Sequence, residues 1–66
     1  ELWQPIIVGD NAVIGGGATV VPGCDIGVNA VLGAGSVLTK SLPNDEVWAG
    51  NPAKYLMSRQ EYDAKR

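Results

Sequence analysis

The sequence predicts an all-β chain wound as stacked coils with three short flat sides, and three observations carry that prediction. Stepping by six from Val8 gives Ile14, Val20, Ile26, Leu32 and Leu38, all aliphatic, and Leu2 extends the row backwards. Stepping by six from Ala12 gives Ala18, Cys24, Ala30 and Ser36, all small. At an offset of eighteen the chain repeats itself, as Gly9/Gly27, Asn11/Asn29, Ala12/Ala30, Val13/Val31, Gly15/Gly33 and Gly17/Gly35. A helix spaces its apolar residues three and four apart, and a half-buried strand alternates strictly. A clean six fits neither, so the spacing itself is the structural signal.

Three hexads then make one coil, each side contributing one large aliphatic and one small residue inward. The axis of such a prism is crowded, so a large residue must be offset by a small one to reach interior packing density. The corners need tight bends, for which glycine and asparagine accept positive φ. Asn11 and Asn29 are expected one above the other at the same corner, as a hydrogen-bonded ladder. Hexads from Val8 through Leu42 make about two coils, a stack roughly 10 Å tall at the ordinary interstrand spacing. The division expected is residues 1–42 for the coils and 43–66 for a capping loop and a short C-terminal helix.

After Leu38 the pattern stops. Pro43, Pro52 and the Asn44-Asp45 pair are turn chemistry, so this stretch is expected to cap the last coil, with Leu42, Val47, Trp48 and Leu56 over its apolar end. Trp48 reads as a packing cap in preference to a ligand-stacking ring. "SRQEYDAKR" reads as a helix opened by a capping box, Ser58 with Glu61 three residues on, and charged along one side by Asp63, Lys65 and Arg66. So short a helix is marginal alone and must dock on something, a neighbouring subunit being one such surface.

The chain has 66 residues, one cysteine and no histidine. That excludes an internal disulfide and a Cys/His zinc site. The lone thiol fits a reducing, cytoplasmic setting, with Cys24 a buried filler in the small row. No apolar run is long enough to span a bilayer. The start "ELWQP" lacks methionine, which reads as a piece of a longer protein. Net charge is −2, which argues against a general nucleic-acid surface. Every Lys and Arg lies at Lys40 or beyond, so a multiply charged anion would meet the C-terminal part. The glycines are not a dinucleotide fingerprint, because Val20 and Leu38 stand where G-x-G-x-x-G needs its last glycine.

The motif [Leu/Ile/Val]-Gly-x-x-[small]-x, with "TK" at 39–40 and "GNPAK" at 50–54, resembles the hexapeptide-repeat acetyltransferases. Its nearest likeness is to the maltose/galactoside acetyltransferase-like and capsule or lipopolysaccharide O-acetyltransferases, over about Ile6 to Leu56. The resemblance implies a left-handed parallel β-helix, a handedness nothing else in the sequence shows, since parallel crossovers are otherwise right-handed. It implies acetyl-CoA as cosubstrate, a sugar or similar hydroxyl as acceptor, and a homotrimer with the groove between subunits. It places Thr39 and Lys40 beside the coenzyme's phosphates and Lys54 toward its nucleotide end. Gly16 and Ala34 fall along the pantetheine arm. Where relatives carry a further basic residue, this chain has Met57.

The general-base histidine of such enzymes is expected upstream of Glu1, so no catalytic residue is assigned within this chain, and no metal. A different function class, a β-helix trimerisation or scaffold module of a nucleotidyltransferase or a non-catalytic binding protein, shares the repeats. An ice-binding stack would want threonines in register, which Thr19 and Thr39, twenty apart, do not supply.

Overall fold

The computed structural model describes residues 6–65; Leu2, at the start of the aliphatic row, and Arg66, on the charged side of the helix, lie outside them. Six strands and one helix follow in order: β1 Val13–Ile14, β2 Thr19–Val20, β3 Val31–Leu32, β4 Val37–Leu38, β5 Glu46–Ala49, β6 Lys54–Ser58 and α1 Arg59–Ala64.

The offset of eighteen is the strand register. Val13 pairs with Val31 and Ile14 with Leu32, in parallel; Thr19 pairs with Val37 and Val20 with Leu38, also in parallel. Val8, Ile26 and Leu42 form isolated parallel bridges on a third side. The inner row is what the hexads required: Ile26 is 2 % exposed, Leu32 and Leu38 0 %, and Ala30 and Cys24 fill between them. Burial of an aliphatic side chain of this size stabilises by roughly 1.5–3 kcal/mol. Val8 and Ile14, in the first layer, keep 47 % and 43 % exposure, because only one neighbouring layer packs on them among the described residues.

Beyond Leu38 the structure departs from the expected architecture. An all-parallel, left-handed β-helix with a capping loop is not what forms. The chain makes a mixed four-stranded sheet in the order β1-β3-β5-β6 and a separate parallel pair β2-β4, and these sheets do not close on one another among the described residues. Residues expected as loop supply two strands. β5 stacks in parallel on β3, Val31 with Val47 and Leu32 with Trp48, at a step of sixteen where the repeat uses eighteen. The chain then reverses at Gly50, and β6 returns antiparallel to β5 with a bulge between Val47 and Trp48. The cause is the end of the hexads: past Leu42 the sequence no longer repeats at six, so after β5 the chain turns back along it instead of winding on. Leu42 and Val47 are buried as expected, but Leu56 is 56 % exposed, since the bulge leaves it without a partner across the hairpin.

The corners take positive φ at asparagine and glycine, as the sequence predicts, while the glycines that follow the aliphatic row answer to packing. Positive φ falls on Asn11, Asn29 and Asp45 (61°, 62° and 62°) and on Gly17, Gly23, Gly35 and Gly50. Gly15 is required by close approach: a Cβ there would stand 2.6 Å from Ala34 Cα and run into its nitrogen. The side-chain bond at this corner is not the expected one between Asn11 and Asn29: Asn29 Nδ2 donates instead to Asp45 Oδ1 at 3.0 Å, where the third layer carries aspartate.

Helix α1 has the expected capping box: Ser58 Oγ accepts from Glu61 N at 3.1 Å, and Ser58 N donates to Glu61 Oε1 at 3.2 Å. It docks on β5 and β6 of its own chain. Arg59 N donates to Asp45 O at 2.8 Å, while Arg59 Nη1 donates to the carbonyls of Asn11 at 2.9 Å and Asn29 at 3.1 Å. Arg59 Nε is paired with Asp63 at 3.1 Å. One arginine thus touches three stacked corners. No helix among the described residues is long and apolar enough to cross a membrane.

Candidate functional site

The site is built where the repeat gives way to the hairpin. Leu38 and Leu42 are both buried, and Leu42 is fixed by bonds from its N–H to Asp25 O and from Gly27 N–H to its carbonyl, each 2.8 Å. The stretch between these two anchors has to bulge outward, so Thr39 and Lys40 are exposed. Opposite them stands the turn between β5 and β6. Gly50, at φ 106°, takes a conformation that favours glycine. Val37 N donates to Gly50 O at 3.0 Å, and Ala53 N donates to Val37 O at 2.8 Å. The buried Ala53 holds the turn down, and Lys54 follows it.

Thr39, Lys40, Trp48, Pro52, Ala53, Lys54 and Tyr55 consequently line one cavity of about 320 Å³. Its chemistry is two ammonium groups and a hydroxyl beside two aromatic side chains. Neither lysine makes an ion pair among the described residues, so both charges are available to an anion. Trp48 packs against the core and donates its indole N–H to Glu46 Oε1 at 2.9 Å. That bond fixes the ring, which serves as the cap expected of it and as one wall of the cavity. Tyr55 is 54 % exposed and pairs across the hairpin with Trp48.

The structure thus brings together Thr39, Lys40 and Lys54 of the residues singled out from sequence. Gly16 and Ala34 lie elsewhere, on matching bends after β1 and β3, where Gly35 N donates to Gly16 O at 3.0 Å. Nothing stands within 4 Å of a Cβ built on Gly16, so the space beside it is open. Ala34 lines a second, apolar cavity of about 350 Å³ with Val13, Val31, Val47, Leu56, Met57 and Tyr62 among its walls. Cys24 is buried, its thiol 4.0 Å from Leu38 O, as a filler should be. Sequence reading missed Tyr55 as a wall of the site. Its signal was the pairing with Trp48, which is visible only once residues 46–58 are recognised as a hairpin.

Residues 5–40 match the family described as the hexapeptide repeat of succinyl-transferase, and the chain belongs to this hexapeptide-repeat family. It is 44 % identical over 64 residues to a Saccharomyces cerevisiae protein provisionally named an acetyltransferase, covering 97 % of this chain and 33 % of that protein. It resembles the crystal structure of a maltose O-acetyltransferase from Clostridium difficile 630 with a TM-score of 0.80 and 47 % identity, over 83 % of this chain and 29 % of the other. A galactoside acetyltransferase in complex with coenzyme A matches with a TM-score of 0.84 and 39 % identity, over 92 % of this chain and 30 % of the other. The chain therefore spans about a third of the length of these relatives.

Proposed function

We propose that this chain forms the coenzyme-binding part of an acetyl-CoA-dependent acetyltransferase whose acceptor is a sugar or similar hydroxyl. The observation that carries the reading is the convergence of Thr39, Lys40 and Lys54 on one cavity from segments separated by the whole β5 strand. Two unpaired ammonium groups and a hydroxyl suit the phosphates of coenzyme A, and the Trp48 and Tyr55 faces suit its adenine. Lys54 supplies a point charge without the planar fork an arginine would give. Gly16 and Ala34, one repeat apart and both exposed, are small enough to let a pantetheine arm lie along this edge. The galactoside acetyltransferase bound to coenzyme A, similar over most of this chain, supports the same assignment.

In this reading the chain's residues bind and orient the thioester. Proton removal from the acceptor hydroxyl, by a general base such as histidine, falls to a residue outside this histidine-free sequence. A homotrimer in the cytoplasm, with the groove between subunits and a second subunit forming its far wall, completes the proposal.

Titrating the protein at its natural length with coenzyme A tests it. Lys40→Ala and Lys54→Ala should each weaken binding about tenfold or more, as loss of a charge-assisted contact does. Affinity unchanged in both variants would refute the phosphate assignment.

A further inference from the structure

Ser36 stands apart in the inner small-residue row. The residues six and eighteen positions before it are Ala30 and Ala18, yet Ser36 is a buried polar side chain only 1 % exposed. A hydroxyl at such a place is costly unless it is bonded. Its partner is the turn at the site: Gly50 N–H donates to Ser36 Oγ at 3.0 Å. The neighbouring Val37 holds the same turn through its main chain, at Gly50 O and Ala53 N. Those two bonds are indifferent to side-chain identity, and the third exists only because residue 36 is serine.

We infer that Ser36 is a positioning residue for coenzyme recognition: through Gly50 it sets the turn before Lys54, and so the place of the Lys54 ammonium opposite Lys40. The inference rests on the reading of Lys54 as a phosphate-facing residue. Ser36 does not touch the coenzyme, since its hydroxyl lies beneath the turn and not in the cavity wall. Alanine should be accepted there without collapse, because Ala30 fills the equivalent inner position at 0 % exposure. What alanine removes is one of three tethers on an exposed turn, so the turn gains freedom while the core keeps its packing.

The test is a double-mutant cycle in the protein at its natural length, using Ser36→Ala, Lys54→Ala and both together. Dissociation constants are measured by calorimetry for coenzyme A and by competition for pantetheine, which lacks the phosphates and adenine. Ser36→Ala should weaken coenzyme A roughly threefold to tenfold, the scale of one hydrogen bond, and leave pantetheine unchanged. In the Lys54→Ala background the same change should add less than about twofold, as residues acting through one another do. Ser36→Cys, nearly isosteric but a poor acceptor, should reproduce Ser36→Ala.

Wild-type affinity for coenzyme A in Ser36→Ala, an equal loss for pantetheine, or full additivity with Lys54→Ala would each overturn the inference. If Lys54→Ala itself leaves coenzyme A affinity intact, the phosphate assignment of Lys54 falls, and the role of Ser36 with it. If Lys54→Ala weakens binding and Ser36→Ala does not, only the role of Ser36 falls.

Discussion

Arg59 offers the sharpest test of how the layers are held together. Replacing it with methionine keeps most of its stem and removes three polar interactions at once. Two are bonds from a charged donor to the carbonyls of Asn11 and Asn29, at 2.9 and 3.1 Å. Bonds of this kind contribute about 1.5–3 kcal/mol each when well shielded. The Arg59 side chain is 18 % exposed and both bonds leave the same Nη1, so they sum to less than twice a single bond, giving about 2–4 kcal/mol for the pair. The third is the ion pair with Asp63, whose side chain is 51 % exposed; it contributes no more than about 0.5 kcal/mol after solvent screening. Urea unfolding should therefore show Arg59→Met losing about 2–4 kcal/mol, and Asp63→Asn under about 0.5 kcal/mol. Arg59→Lys should fall between, since one ammonium does not reproduce the planar fork. Equal losses for Arg59→Met and Asp63→Asn would refute the clasp, leaving a surface ion pair as the whole effect.

Three further outcomes follow from the packing. Gly15→Ala should destabilise by about 2 kcal/mol or more, measured by the same unfolding, because the new Cβ overlaps the Ala34 backbone. Gly16→Val should leave stability within about 1 kcal/mol, since the space above Gly16 is open, while coenzyme A binding by calorimetry weakens; retained affinity would remove Gly16 from the pantetheine edge. Leu32→Ala, at a fully buried position, should lose about 2–5 kcal/mol in urea unfolding.

The repeat was legible because its spacing acts everywhere at once. Ile26, Leu32 and Leu38 had to point the same way if the hexads meant anything, and the pairs Val13/Val31 and Thr19/Val37 show that they stack at eighteen. The helix was legible from Ser58 and Glu61, whose reciprocal bonds depend on four consecutive residues alone. The hairpin was not. Pro43, Pro52 and Asn44-Asp45 read as loop because turn residues report bends and say nothing of what lies between them. Val47 and Trp48 form a strand only because β3 offers its free edge, a tertiary cause that no local pattern records. Tyr55 was hidden with it, and so was the contribution of Ser36, which in sequence is one more small residue in a row of small residues. The corners were legible too, with positive φ at Asn11, Asn29, Gly17, Gly23 and Gly35, whereas the need for Gly15 was not, because it comes from the close approach of the layer above.

The span of the Arg59 contact has a kinetic consequence. Pairing between successive layers closes segments of sixteen or eighteen residues, whereas the guanidinium reaches Asn11 across forty-eight. Closing the longer segment costs more chain entropy, and it has no anchor until both corners beneath it have been wound. The clasp is accordingly expected to close late, after the transition state. Substitutions at Arg59 should speed unfolding and barely change the rate of folding, so this single side chain governs how long the native state persists more than how quickly it is reached.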